Sequence, residues 1–405
     1  MAGKLQSPRG FHDLTGSDLR RFRRVSSVCR ELFTRYGFEE IILPVVEYAE
    51  LFERSIGEAT DIVQKEMFVF TDRKGRRLAL RPEGTAGAVR AFIQNNLYAL
   101  RPYHKLFYEG PMFRYERPQA GRYRQFHQAG VEIFGVADPL ADAELLKLVS
   151  DILETLGIPA VMELNSLGCR NCRGGYRDAL LSYLEGVADH LCEVCFDRKN
   201  RNPLRVLDCK VESCRRAVAS APKMIDFLCE ECREHYRRVK EYLKELGVGF
   251  RENLNLVRGL DYYTRTVFEA VSDELGTALI AGGRYDYLVE EFGGPPTPAL
   301  GFAVGIERLM LLVEDPGREE ELYLLIPFGD VWSYALKVAS LLRYRGKKVE
   351  VSYRRGGLRK QLEFANRIKA DFAVIVGEEE VKEGVVTLKD LRSGEQRRLR
   401  PEEIP

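Results

Sequence analysis

Between residues 17 and 36, Leu19, Phe22, Val25, Val28, Leu32, Phe33 and Tyr36 recur at helical intervals with charged residues between them. That period predicts an amphipathic helix stopped by Gly37. Phe38 to Val46 reads as a strand interrupted at Pro44, which cannot donate to a ladder and so marks an edge or a bulge. From Phe107 the pattern is strand, loop, strand. An apolar run ends at Met112 and Phe113, a basic loop broken by proline and glycine spans Arg117 to Arg124, and alternation resumes through Val131, Ile133 and Phe134. Between Glu163 and Phe250 the texture changes to charged helical segments, and strand-like patterning is expected again at Leu254 to Val257. A polar linker, Glu314 to Glu321, leads into Leu322 to Pro327, Val349 to Tyr353 and Phe372 to Val376, which read as buried strands. Helical stretches near 332–344 and 357–369 separate them, so this region predicts a small α/β unit with a parallel sheet.

A chain of 405 residues has room for two or three domains with cores of their own. The 45% hydrophobic and 30% charged content is that of an ordinary soluble protein. No run of about 18 apolar residues occurs, and Met1 to Gly10 lacks the apolar stretch of a signal peptide, so a cytoplasmic protein without a membrane partner is expected. Lys plus Arg at 62 against Asp plus Glu at 61 leaves no overall attraction to nucleic acid, and any such contact must be local. One candidate patch holds Arg343, Arg345, Lys347, Lys348, Arg354, Arg355, Arg359, Lys360, Arg367 and Lys369 against Glu350 and Glu363; a solvated surface would read the same way.

Charge changes the reading of the 107–134 hairpin. Arg114, Glu116, Arg117, Arg122, Arg124, Gln128 and Glu132 crowd a segment where packing alone would select β-branched and aromatic residues, so an anionic ligand is the natural partner. The hairpin closely resembles motif 2 of the class II aminoacyl-tRNA synthetases, and in detail that of the histidyl-tRNA synthetases. Arg81-Pro-Glu-Gly-Thr85, Leu256-Val-Arg-Gly-Leu-Asp-Tyr-Tyr263, Ala281-Gly-Gly-Arg-Tyr285 and Ala299-Leu-Gly-Phe-Ala-Val-Gly-Ile-Glu-Arg308 resemble the family's other signatures, in the family's order.

The resemblance implies an α/β architecture: an α+β catalytic domain (1–164 and 251–318) with an antiparallel sheet flanked by helices, an inserted Cys-rich helical domain (165–250), and a C-terminal α/β anticodon-binding domain (321–405). It implies a homodimer built through the segment around Pro44. The implied activity is ATP-dependent activation of L-histidine, with Mg2+ accompanying ATP, followed by transfer to the 3′ end of tRNA(His). Fixed guanidinium groups suit the negative charge of such a transition state. By position in the motifs, Arg114 would clamp the α-phosphate, Arg308 the γ-phosphate, and Arg258 would bridge the substrate carboxylate and α-phosphate. Glu116 and Phe126 would hold adenine, and Glu83, Thr85 and Gln128 the α-ammonium. Glu132 and Tyr263, beside Tyr262, would read the imidazole. Arg117, Gln119 and Arg124 would reach the tRNA acceptor end. Gly305-Ile-Glu-Arg308 is expected to open a helix whose amides favour phosphate. The reaction asks for no protein general base, so His104, His127, His190 and His235 are given no role. An alternative is the non-catalytic, synthetase-like regulatory subunit of ATP phosphoribosyltransferase, which typically lacks the C-terminal domain and the intact arginine set.

The cysteines form four pairs, Cys169/Cys172, Cys192/Cys195, Cys209/Cys214 and Cys229/Cys232, while Cys29 falls on the apolar side of the first helix. The spacing suits one or two tetrahedral structural Zn2+ sites; disulfides and unmetallated thiols are the other readings.

Overall fold

The structure is a computed structural model that describes residues 5–57, 60, 62–318, 320–354 and 356–405. Two compact units meet in the chain between Asp315 and Pro316. In the first, α1 (Gly16–Arg35) is followed by β1 (Glu39–Glu40), β2 (Val46–Tyr48), α2 (Ala49–Ile56), β3 (Val69–Thr71), β4 (Arg77–Leu80) and α3 (Thr85–Gln94). The long hairpin β5 (His104–Phe113) and β6 (Gln125–Phe134) leads to α4 (Pro139–Leu156) and β7 (Val161–Ser166). Next come α5 (Arg170–Gly186), α6 (Glu193–Arg201), α7 (Glu212–Ala217) and α8 (Glu230–Glu245). β8 (Arg251–Glu252), β9 (Thr264–Ser272), β10 (Thr277–Arg284), α9 (Leu288–Glu291), β11 (Ala299–Gly305) and α10 (Ile306–Met310) complete the unit.

Eight strands form one sheet in the order β1-β5-β6-β11-β10-β9-β7-β8. Its six central strands pair antiparallel, and only the end pairs β1/β5 and β7/β8 run parallel. Period-2 alternation sorts the hairpin: Phe107, Val131 and Ile133 face a core shared with α1, α4 and α8, whereas Leu106, Tyr108 and Phe134 face α3. Helix α1 buries Phe22, Val25, Val28, Leu32 and Phe33 of the predicted stripe together with Cys29, whereas Leu19 is exposed and Tyr36 is half-buried just past the helix end.

Around Pro44 the strand breaks into two pieces in different sheets: β1 edges the large sheet, and β2 joins β4 and β3 in a small one. The carbonyl of Leu43 is answered by the Arg81 guanidinium at 2.8 Å instead of by a ladder. The strand expected at Leu254 to Val257 is not formed. Asn253 Oδ1 accepts from the Asn255 amide at 3.2 Å and turns the chain, so pairing stops at Glu252, while Leu256 and Val257 are buried as a loop. The cysteine-bearing segment enters and leaves through β7 and β8, and its last helix, α8, places Tyr236, Val239 and Leu243 in the main core against α4.

In the second unit β12 (Leu322–Pro327), α11 (Trp332–Tyr344), β13 (Lys348–Val351), α12 (Leu358–Arg367) and β14 (Phe372–Val376) supply the predicted parallel strands, but β13 is an edge strand that buries only Val351, and Tyr353 lies beyond it and is exposed. The chain then adds α13 (Glu378–Glu383) and two antiparallel strands, β15 (Val386–Asp390) and β16 (Gln396–Leu399), giving a mixed sheet in the order β13-β12-β14-β15-β16.

The most heavily bonded buried charge is Arg284, at the end of β10 and 1% exposed. It holds the Asp142 carboxylate of α4 through Nε and Nη2 (2.8 and 2.6 Å) and donates to the carbonyls of Val136 and Asp138, each at 2.9 Å. Burial alone would raise the Asp142 carboxyl, but Arg284 and His235 overcome it and hold it down at about 2. Arg284→Met leaves Asp142 without its main partner in a dry site and is expected to cost about 3–5 kcal/mol. Arg284→Met with Asp142→Leu should regain part of that loss, and thermal denaturation of the two variants checks the order.

Candidate active site

The sheet face under α3 carries a cleft with about 890 Å³ of atom-free space, open to solvent. β6 and β11 form part of its floor, and the 258–263 loop and the end of α3 wall it. Close approach is built in by glycine, because a Cβ at Gly282 would strike the Gly301 carbonyl and one at Gly301 would overlap the Glu132 carboxylate.

One end is cationic. Arg114, Arg122, Arg258 and Arg308 all line the cleft. Arg114 is steadied by the Pro82 carbonyl (2.9 Å) and lies over the Phe126 ring at 5.3 Å. Glu116 stands 3.9 Å from Arg114 and 3.7 Å from Arg122. Arg258 is paired with Glu269 of β9 and sits 5.8 Å from the Tyr263 ring centre. Arg308 donates to the Ala278 carbonyl at 2.6 Å. Burial, then repulsion from Arg122 and Arg114, pulls the Arg308 guanidinium down to about 10, and an anion bound beside it would favour its charged form. The helix opened by Gly305 is only five residues long, so Arg308 supplies the local charge rather than a macrodipole. Glu307 instead accepts the His127 backbone N–H (2.9 Å) and faces its ring nitrogen at 2.8 Å, tying α10 to β6.

The other end is acidic and nearly dry. Glu83 accepts from the amides of Thr85 and Ala86 (2.5 and 2.9 Å) at the start of α3; burial raises its carboxyl, and those amides partly offset the shift. Gln128 lines the cleft with a buried Oε1 that has no partner among the described residues, and so is available to an N–H donor. Tyr262 and Tyr263 pack ring against ring at 4.7 Å along the wall.

Glu132 is buried at this end beside Gly301, and Thr85 (2.7 Å), Tyr108 (3.1 Å) and Tyr285 all donate to its carboxylate. Thr85 and Tyr285 line the cleft beside it. Tyr285 closes the motif Ala281 to Tyr285, yet its role is invisible without the register that sets β10 beside β11. The sequence gives Arg122 no separate role either, although its alternation with Arg124 is a usable signal. Arg122 turns into the cleft, whereas Arg124 packs over Tyr115 at 3.6 Å. Arg117 and Gln119 are both exposed in the hairpin loop.

The basic stretch of the second unit is largely spent internally. Arg343 and Arg345 donate to the carbonyls of Val349 and Ile404, Lys347 covers Tyr323, and Arg359 pairs with Glu363. Arg355 lies outside the described residues. Arg354, Lys360 and Arg367 remain together around a shallow hollow, with Arg354 and Arg367 against the Phe364 ring.

Burial raises the Glu132 carboxyl from its usual 4.5 to about 8, against the opposing effect of its hydroxyl donors. Above pH 4.5 the unfolded chain has released this proton while the folded chain keeps it. The associated stability is complete below that value and is lost as pH rises through about 8. The thermal midpoint of the unliganded wild type, relative to Glu132→Gln, should therefore fall between about pH 5 and pH 9. Parallel curves for the two proteins would remove Glu132 as the source.

Comparison with known proteins places these features. The profile of the histidyl-tRNA synthetases matches residues 10–169 and 187–309, and that of the anticodon binding domain matches 323–405. The histidine–tRNA ligase of Aquifex aeolicus (strain VF5) is 70% identical over 99% of this chain and 100% of its own length. That of Natranaerobius thermophilus is 45% identical over 96% and 95%. The crystal structure of apo S. aureus histidyl-tRNA synthetase superposes with a TM-score of 0.81 at 36% identity, covering 98% of each chain.

Proposed function

The chain belongs to the histidyl-tRNA synthetase family and joins histidine to tRNA at the expense of ATP, and from that premise we propose how its own residues divide the work. The single observation that carries the proposal is the convergence of four guanidinium groups at one end of a cleft whose other end offers Glu83, Gln128 and the Thr85 and Tyr285 hydroxyls.

L-Histidine enters with its α-ammonium toward Glu83, Thr85 and the free Gln128 Oε1, and its imidazole between the Tyr262–Tyr263 wall and the hydroxyls ordered by Glu132. Its carboxylate then lies toward Arg258. A carboxylate oxygen attacks the α-phosphorus of ATP, diphosphate leaves, and the charge gathering on the α-phosphoryl oxygens is met by Arg114 and Arg258. Arg308 and Arg122 hold the outer phosphates, while Glu116 and Phe126 take adenine. Mg2+ arrives with the nucleotide and neutralises part of its charge. In the second step the 3′ hydroxyl of tRNA(His) displaces AMP, with Arg117, Gln119 and Arg124 of the hairpin loop near the acceptor end. Arg354, Lys360 and Arg367 bind the anticodon arm. The regulatory-subunit alternative is not favoured, because this chain keeps the arginine set and matches catalytic relatives over its full length.

The working form is proposed to be a cytoplasmic homodimer. Ile42 is 89% exposed, and Val46, Tyr48, Val69 and Phe70 of the small sheet are also exposed, a concentration of apolar surface in the segment around Pro44 that a second copy would cover. No described helix is long and apolar enough to cross a membrane.

Histidine-dependent exchange of pyrophosphate into ATP tests the reading. Arg258→Ala should slow it by about 10²–10³-fold while ATP binding changes little; a near-normal rate would take Arg258 out of the mechanism. Replacing Arg354, Lys360 and Arg367 by Ala should leave exchange intact, raise the KM for tRNA(His), and flatten its salt dependence by about one unit of slope for each phosphate that is no longer neutralised. An unchanged slope would move the anticodon-binding surface elsewhere.

A further inference from the structure

The eight cysteines of the inserted segment are not distributed as four independent pairs. Cys169 and Cys172 come together with Cys229 and Cys232, which lie some sixty residues on, and Cys192 and Cys195 come together with Cys209 and Cys214. Within each group every Sγ lies within 4.8 Å of the others. The separations include 3.6 Å for Cys169–Cys172 and 3.9 Å for both Cys169–Cys229 and Cys192–Cys209. Four sulfurs about 2.3 Å from a central ion define a tetrahedron with edges of about 3.8 Å. These separations match that figure and are far beyond the roughly 2.05 Å of a disulfide.

The surroundings are those of thiolate ligands. Cys169, Cys192 and Cys229 each stand immediately before a helix (α5, α6 and α8), and Cys172, Cys195 and Cys232 follow in the first turn, where the amides favour a negative sulfur. Backbone N–H groups already point at sulfur: Cys229 N donates to Cys172 Sγ at 3.2 Å and Cys192 N to Cys214 Sγ at 3.0 Å. The segment's own core is small, and cysteine side chains make up much of it, so few apolar side chains remain to hold it together.

The geometry points to two structural Zn2+ sites, Cys169/Cys172/Cys229/Cys232 and Cys192/Cys195/Cys209/Cys214, the first of which positions the loop that carries Arg258 and Tyr263. The positioning half follows from the next residue along. Arg173, directly after Cys172 in α5, donates to the Tyr263 carbonyl, and Arg265, two residues past Tyr263, takes the Gly168 carbonyl with its backbone N–H at 2.9 Å. The first tetrad therefore fixes the start of α5, and α5 fixes the far end of the loop. Binding converts four thiols to thiolates with release of their protons, and no redox step is involved.

The test uses the full-length chain purified under reducing conditions. Elemental analysis should find two zinc ions per chain, one for each tetrad. Replacement by cobalt(II) should give the intense d–d and thiolate-to-metal absorption of tetrahedral CoS4. Cys169→Ser/Cys172→Ser and Cys192→Ser/Cys195→Ser should each lose one ion. The first double variant should also raise the KM for histidine in pyrophosphate exchange by about tenfold with little change in the KM for ATP, and the second should move it in the same direction, because Asn202 and Arg205, between Cys195 and Cys209, donate to Asp261 and Gly259 of the same loop. Folded wild type with all thiols reduced and fewer than two thiophilic ions, or one showing iron–sulfur absorption, overturns the sites. Should either variant fail to fold, the metal content and cobalt spectrum of the wild type decide the matter alone. Loss of the first ion with an unchanged histidine KM overturns the positioning role and leaves the metal sites standing. Because the metal readout does not depend on catalysis, its failure is distinguishable from failure of the residue roles proposed for the cleft.

Discussion

A guanidinium group removed from water must have its donors answered, and Arg284 answers them by pulling three segments to one point. Its partners are the Asp142 carboxylate on α4 and the carbonyls of Val136 and Asp138 in the turn between β6 and α4. His235 of α8 contacts the same carboxylate from the opposite element at 3.3 Å. Such a cluster does not maximise stability, since well-packed apolar side chains could fill the volume at lower desolvation cost. It does fix geometry. Any slip of β10 along β11 would strand a charge in a dry place. That register places Gly282 against Phe302 and Gly283 against Gly301, which is the condition for the cleft to reach as deep as it does.

The cleft has a charge gradient along its length, and the gradient orders its substrates before any chemistry. Arg308 is half-buried beside other cations and held below the normal arginine range, so a polyphosphate relieves repulsion as well as gaining hydrogen bonds. At the opposite end, Glu83 and the free Gln128 Oε1 offer acceptors in a buried setting, and they favour a group that brings N–H donors. An amino acid offers both signs on one small frame, ammonium for one end and carboxylate for the other.

The hairpin, the amphipathic first helix and the buried strands of the second unit were legible because one physical rule, periodic burial, wrote each of them. The strand expected at Leu254 to Val257 failed because apolar residues are buried in loops as readily as in ladders, and the Asn253 turn decides between the two. β15 and β16 escaped because they are short: the alternation of β15 lasts only from Val386 to Lys389, and three of the four positions of β16 are polar and exposed. Most cleft residues were legible from motif position. Their hydrogen bonding was not: the sequence marks Glu132 as important but cannot say that Thr85, Tyr108 and Tyr285 gather around its carboxylate. Cysteine spacing suggested metal sites, while the pairing of first with last depends on α5 and α8 starting side by side.

The three hydroxyls around Glu132 have a consequence for which analogues the pocket can accept. Thr85, Tyr108 and Tyr285 each own a single proton, and once Glu132 is ionised all three direct it at the carboxylate. Below about pH 8 Glu132 keeps a proton of its own, and its carboxyl then donates to one of these neighbours, whose hydroxyl proton is free for a ligand. The polarity of this end of the pocket is therefore set by the charge on one buried carboxyl. An isostere of the imidazole is sorted by the direction of its hydrogen bonds as well as by its size, and the preferred direction changes with pH.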